Sequence, residues 1–93
     1  MDLLIKASTP FGDEDYNLSI EEGKSAYVSF RDNTVEIPDY KFSDLGFHAV
    51  FNINVPMTTS VLLTFMKNIG KDTYSGIAKI GEFAVVNISV STL

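Results

Sequence analysis

Alternation of apolar and polar residues in short runs dominates this sequence. Runs rich in Val, Ile and Phe recur about every 8 to 15 residues, and Gly, Asn, Asp and Pro separate them. Successive side chains of a strand point to opposite faces, so a period of two predicts strands with one buried face. Strands at this spacing are typical of an all-β sandwich or barrel.

The clearest run covers residues 47–55. Its odd positions are apolar and share one face, whereas three of its four even positions are polar: Phe47, Ala49, Phe51, Ile53 and Val55 against His48, Asn52 and Asn54. We predict a central strand here, with the odd positions in the core. Similar buried rows are predicted within residues 3–7, 25–31, 60–67, 74–80 and 83–92.

Other segments are less regular. Residues 12–23 form an acidic connection in which a short strand is an option, because Tyr16, Leu18 and Ile20 alternate. Residues 31–33 are predicted to turn the chain into a strand over 34–37, which Pro38 ends or confines to a sheet edge. Residues 39–46 are interpreted as a loop carrying Tyr40 and Phe42.

Short connections indicate mostly antiparallel pairing, because a parallel crossover needs about a dozen or more residues. The predicted fold is therefore an all-β, antiparallel β-sandwich of seven or eight strands in two packed sheets. A chain of 93 residues is expected to form one domain over residues 1–93.

Composition limits the partners and the chemistry. The formal net charge is −5, and no segment clusters Lys or Arg, so nucleic acid is excluded as a partner and a membrane surface is disfavoured. The chain has no cysteine, which removes disulfides, thiolate metal sites and a cysteine nucleophile. The sequence has neither a secretory leader pattern nor 18 consecutive apolar residues, so we expect a soluble cytoplasmic protein.

The order of segments resembles a C2 domain, an eight-stranded Greek-key sandwich found in lipid-binding and scaffolding proteins. Residues 3–7 look like the opening strand of that family, and residues 23–30 (GKSAYVSF) are similar to its Gly-Lys-Ser-Asp-Pro-Tyr-Val motif. The similarity continues through four later segments, namely residues 47–56, 61–65, 74–80 (YSGIAKI) and 81–90. The resemblance implies a C2-like Greek-key topology.

Departures from the family pattern concern its calcium ligands. Ala26 stands where the family motif has aspartate, and Met66-Lys67-Asn68 stands in place of an Asp-x-Asp pair. Calcium needs six to eight oxygen ligands. The resemblance therefore implies a calcium-independent member without a cofactor. The alternative is a calcium site that uses Asp13, Asp15 and Asp72.

No pattern for catalysis is found. Residues 13–24 fail as an EF-hand loop, because Leu18 occupies the position of the required glycine and Lys24 that of the bidentate glutamate. His48 is the only histidine, and no nucleophile motif or phosphate-binding loop accompanies it. We predict that the chain is not an enzyme and that its acidic segment is a solvated surface.

Five apolar residues fall on the side opposite the predicted core rows: Leu4, Tyr27, Val50, Leu62 and Met66. Single apolar residues are ordinary on a surface, whereas a contiguous patch marks an interface. These residues are the candidate partner-binding site. An exposed edge strand at residues 25–31 or 34–37 is a second route to a partner, by strand addition.

The leading hypothesis is a non-catalytic, calcium-independent protein-interaction or scaffolding module that binds a protein partner or a second copy of itself. One alternative is a peripheral membrane module that uses calcium through its acidic loop. Another is a structural subunit of a viral or appendage assembly. Fold class alone does not separate these, since function belongs to sites placed on a scaffold.

Overall fold

A computed structural model of the chain describes residues 1–30, 32–54, 57–82 and 84–93. The described residues form nine β-strands and no helix. The strands are β1 (Asp2–Thr9), β2 (Gly12–Ser19), β3 (Ala26–Phe30), β4 (Asn33–Ile37), β5 (Lys41–Ser43), β6 (Gly46–Asn54), β7 (Thr58–Lys67), β8 (Thr73–Ile80) and β9 (Ala84–Thr92).

All nine strands belong to one sheet, in the order β4-β3-β2-β1-β9-β8-β7-β6-β5. Every neighbouring pair is antiparallel. Strands β1–β4 form one meander and β5–β9 form another, and the pairing of β1 with β9 joins the two. The edges of the sheet are therefore β4 and β5, which follow each other in the chain.

The sheet curls around its own apolar side. Strand β4 at one edge comes into contact with β6, the second strand from the other edge. The period of two places the apolar rows of all the long strands on the concave side, where they form one core. Leu3, Leu18, Ile37, Phe65 and Val90 are its largest fully buried side chains.

Aromatic rings fill one end of this core, near the turns that join β5 to β6 and β7 to β8. The rings of Phe47 and Phe65 stack with centroids 5.3 Å apart, and Tyr74 meets Phe65 edge-on at 5.4 Å. Tyr40 and Phe42 contact Phe47 at 5.6 and 6.4 Å. Such pairs are favourable beyond their buried area. We call these five residues the aromatic end.

The opposite end of the core is less completely filled. It contains a cavity of about 130 Å³ between side chains of β1, β2, β3, β6, β7, β8 and β9. We call the residues around it the cavity end. The turns from β1 to β2 and from β8 to β9 lie at this end of the sheet, as the registers of these strands show.

The predicted all-β, antiparallel character is confirmed. Residues 47–54 of the predicted run lie in β6, with Phe47, Ala49 and Phe51 buried and His48 exposed, as predicted. The predicted central position is wrong, because β6 has only the three-residue β5 on its outer side. Alternation indicates that one face of a strand is buried, but it does not indicate how many strands lie on each side. Here the apolar face of β6 is covered because the sheet curls over it.

Strand number and layering also differ from the prediction. The part of the chain that the structure describes forms nine strands instead of seven or eight, and one curled sheet instead of two. The extra strands come from the acidic connection, which forms the whole of β2, and from the predicted loop over 39–46, which contains β5. The sequential strand order means that the Greek-key sandwich implied by the C2 resemblance is not confirmed.

Strand β2 is regular because all eight of its residues pair with β1. Asp13 and Asp15 point outward and are exposed, so their charges do not oppose burial of Leu18 on the other side. The edge position of β4 agrees with one of the options that Pro38 indicated. Four positions that the predictions covered lie outside the described residues: Arg31 of the predicted turn, Val55 of the core row, Pro56 of the segment similar to C2 domains and Phe83 of the last strand.

Candidate functional site

The outward side of the sheet is divided by charge between its two meanders. Among the described residues of β6, β7, β8 and β9 that face outward, Lys79 is the only Lys, Arg, Asp or Glu. The rest are Ser, Thr and Asn with a few apolar residues, a glycine and the single histidine. We call this outward side of β6–β9 the low-charge face.

An apolar row crosses the low-charge face. Val50 pairs with Leu62, Leu62 pairs with Lys79, and Lys79 pairs with Val85, so the four side chains are direct neighbours on successive strands. Val50 is 58% exposed and Val85 is 62% exposed. The aliphatic stem of Lys79 can continue the apolar surface between Leu62 and Val85 while its ammonium group stays in water.

Two more apolar residues extend this row on the same face. Ile77 is half-buried and lies two residues from Lys79 on β8. Met66 lies at the far end of β7 and is 68% exposed. The surface is therefore apolar at several adjoining positions and carries little charge.

The outward side of β1–β4 has the opposite character. It carries Asp2, Asp13, Asp15 and Glu36, with Lys6 as the one cation among the described outward residues of these strands. We call it the acidic face. Negative charge on this side of the chain is solvated and opposes close approach of a second acidic surface.

The five predicted partner-binding residues divide between these two faces. Val50, Leu62 and Met66 lie together on the low-charge face, whereas Leu4 lies on β1 and Tyr27 on β3, both on the acidic face. The Tyr27 hydroxyl donates to the Glu36 carboxylate across 3.4 Å. Val85 and Ile77 were not among the predicted residues, although the same period of two places both opposite the core row.

The three carboxylates considered for calcium are not brought together. Asp13 and Asp15 lie on the outward side of β2, and Asp72 lies in the turn between β7 and β8, near the other end of the sheet. Within the ranges that the structure describes, no three His, Asp or Glu side chains are grouped in a way that could hold a metal ion.

His48 lies on β6 at the border of the low-charge face and is exposed. Its partners across the strand are Lys41 on β5 and Thr64 on β7, neither of which is a carboxylate that could orient the imidazole. None of the described residues forms a helix that could cross a membrane.

Comparison with known proteins leaves the chain without an assigned family. No family model matches it, and no curated protein or solved structure matches it significantly. The resemblance to C2 domains therefore stays a prediction.

Proposed function

We propose that the protein is a non-catalytic, calcium-independent interaction module that associates with a second copy of itself through the low-charge face. The observation that carries this proposal is the row of Val50, Leu62, Lys79 and Val85 across four strands of a face almost devoid of charge. Depletion of charged residues is the compositional mark of an interface core.

Charge favours a second copy as the occupant. The chain has a net charge of −5, and its acidic face would repel the same face of another copy. Two low-charge faces bring no carboxylates of β6–β9 into opposition, and each Lys79 side chain can keep its stem in the row while its ammonium group extends toward solvent. Stacking of like low-charge faces is therefore the association that costs least in electrostatic repulsion.

The size of the face is sufficient for a specific contact. Four strands spaced about 4.8 Å apart are about 19 Å wide, and nine residues rise about 30 Å, so each copy offers roughly 600 Å². Two copies would then bury about 1,200 Å², the lower end of specific protein–protein interfaces. Pairing of one face with itself is closed by two-fold symmetry and gives a dimer.

The proposal is tested by sedimentation equilibrium over a concentration series of the whole chain. We expect a reversible monomer–dimer equilibrium. The double variant Val50→Lys with Val85→Lys places two ammonium groups in the row and should raise the dissociation constant at least tenfold, or about 1.4 kcal/mol.

The matched control is Asn17→Lys, which adds a cation at an exposed position of β2 on the acidic face. It should leave the dissociation constant of the dimer within about threefold, since a charge outside the contact contributes little. A chain that stays monomeric at millimolar concentration, or a double variant that dimerises as tightly as the parent, would refute self-association through this face. Formation of oligomers larger than a dimer would instead favour a structural subunit that has a second interface between copies.

A further inference from the structure

We propose that the cavity inside the curled sheet binds a small apolar molecule of about the size of benzene, with a preference for one that carries a positive charge. The site lies on the concave side of the sheet, so it is independent of the self-association proposed for the outward side. It rests on the volume of the cavity, on its lining and on one carboxylate at its border.

The floor of the cavity is apolar and buried. Its volume is about 130 Å³, and six of its lining residues are buried: Ile5, Ala7, Phe51, Val61, Leu63 and Ile88. The curled sheet surrounds this space on several sides, and Ile80 and Val86 border it where it opens to solvent. An enclosed apolar cavity of about 150 Å³ binds benzene, so the volume of this pocket suits a molecule of about that size.

The wall of the cavity provides access from solvent. Val28, Ile53 and Val86 are half-buried lining residues, and Ile80 is 37% exposed. A ligand can therefore enter past side chains at the wall without unfolding of the sheet. Apart from the hydroxyl of Tyr16, the lining side chains have no polar atom, which selects for an apolar body.

One carboxylate lies next to two lining residues and sets the preferred charge. Glu14 is half-buried, lies two residues from Tyr16 on the same side of β2 and pairs with the lining residue Ala7. The Tyr16 hydroxyl donates to Glu14 Oε2 over 2.9 Å and so holds the carboxylate beside the lining. An ammonium group on the ligand would be attracted by this charge, and a carboxylate group would be repelled.

Methyl-resolved NMR of the whole chain with three matched probes tests the proposal: toluene, benzylammonium and benzoate. Toluene and benzylammonium should cause saturable shifts of the Ile5, Val61 and Ile88 methyl groups. Benzylammonium should bind about three- to tenfold more tightly than benzoate, the range expected for a partly solvated charge pair. Glu14→Gln should bring that ratio close to one.

Two variants separate filling of the cavity from other effects. Ala78→Leu extends a side chain into the cavity and should abolish the shifts, whereas Ser8→Leu adds the same side chain on the outward side of β1 and should retain them. Val86→Phe is a second way to fill the cavity if Ala78→Leu does not fold, as judged by the dispersion of its NMR spectrum.

Absence of saturable shifts with all three probes would overturn the proposal. So would shifts confined to Val50 and Val85, because they would place the probe on the low-charge face, or shifts that persist in both filled variants. Equal affinity for benzylammonium and benzoate would overturn the role of Glu14. Loss of dimerisation in the sedimentation experiment would leave all these outcomes unchanged. The proposal of ligand binding and the proposal of self-association can therefore be refuted independently.

Discussion

The aromatic end and the cavity end of the core share three strands, β6, β7 and β8, yet they are packed in different ways. At the aromatic end Phe47, Phe65 and Tyr74 contact each other ring to ring. At the cavity end the same strands contribute mainly aliphatic side chains, and about 130 Å³ remains between them and the other strands. The size of the side chains on these shared strands therefore contributes to where the concave side is filled.

This difference in packing assigns stability mainly to the aromatic end and the proposed ligand binding to the cavity end. The aromatic end makes the close contacts that hold the second meander together, and a void there would remove many of them at once. The cavity end already lacks some of those contacts, so it tolerates change in volume and is free to accept a ligand. The following four experiments test this contrast, from the largest expected effect to the smallest.

Truncation of Phe65 should cause the largest loss. Phe65 is 1% exposed and lies between Phe47 and Tyr74, so Phe65→Ala should lower the free energy of unfolding by about 3–5 kcal/mol in urea denaturation. Phe51→Ala, at the cavity end, should cost at least about 1 kcal/mol less, because its ring already borders a void. Equal losses of stability in the two variants would contradict the difference in packing between the two ends. Phe65→Leu and Phe51→Leu remove less volume and provide a second, milder comparison.

Gly76→Ala should be next in size. Gly76 lies on β8 opposite Phe65, and a Cβ there would sit 2.5 Å from the Phe65 Cα and against the Thr64 carbonyl oxygen. These are backbone atoms of a paired strand and cannot move aside, so we expect a loss of about 1–3 kcal/mol in the free energy of unfolding. Ser75→Ala, the outward neighbour, should stay within about 0.5 kcal/mol of the parent in the same denaturation experiment.

Replacing an alanine by a larger residue should lower the free energy of unfolding where the core is filled and should not lower it where the core is unfilled. Ala49 is 2% exposed and does not line the cavity, so Ala49→Leu should destabilise the chain by about 1–3 kcal/mol. Ala78 lines the cavity, and Ala78→Leu should leave the free energy of unfolding unchanged or raise it by about 0.5–1 kcal/mol. Thermal unfolding followed by circular dichroism measures both, and a clear loss for Ala78→Leu would show that the cavity is not free space.

Tyr16→Phe should have the smallest effect. It removes the hydroxyl that donates to Glu14 while it keeps the ring, whose centroid lies 4.7 Å from that of Phe30. The bond is only partly buried, so its loss should cost about 0.5–1 kcal/mol in the free energy of unfolding. Tyr27→Phe, which removes an exposed hydroxyl bonded to Glu36, is the control and should cost less. A larger loss of stability for Tyr27→Phe than for Tyr16→Phe would contradict the partial burial of the hydrogen bond between Tyr16 and Glu14.

Much of the core could be predicted from the sequence, because alternation reports directly which side of a strand is buried. Ile5, Phe51 and Ile88 all lie on the side that the period of two predicted. The strand in the acidic segment was only an option because five carboxylates conceal the alternation of Tyr16 and Leu18. The predicted loop over 39–46 hides β5, which is too short for a periodic signal.

The candidate surfaces were predicted only in part. Val50, Leu62 and Met66 were found because each interrupts a polar row, but their separation from Leu4 and Tyr27 depends on the pairing of β1 with β9. The cavity could not be predicted, since it arises from residues of seven strands that are distant in the chain. The proposed role of Glu14 could not be predicted for the same reason, because it depends on its neighbours Ala7 and Tyr16, which line that cavity.

The amino-acid sequence by itself determined that this chain forms antiparallel strands with one apolar side, since the period of two and the short turns are local properties. Only the tertiary structure decided that the strands form one curled sheet, that charge is divided between its two meanders and that one end of its core is left unfilled. These properties depend on strand order and curvature, which arise from contacts between residues far apart in the chain, and no local pattern records them.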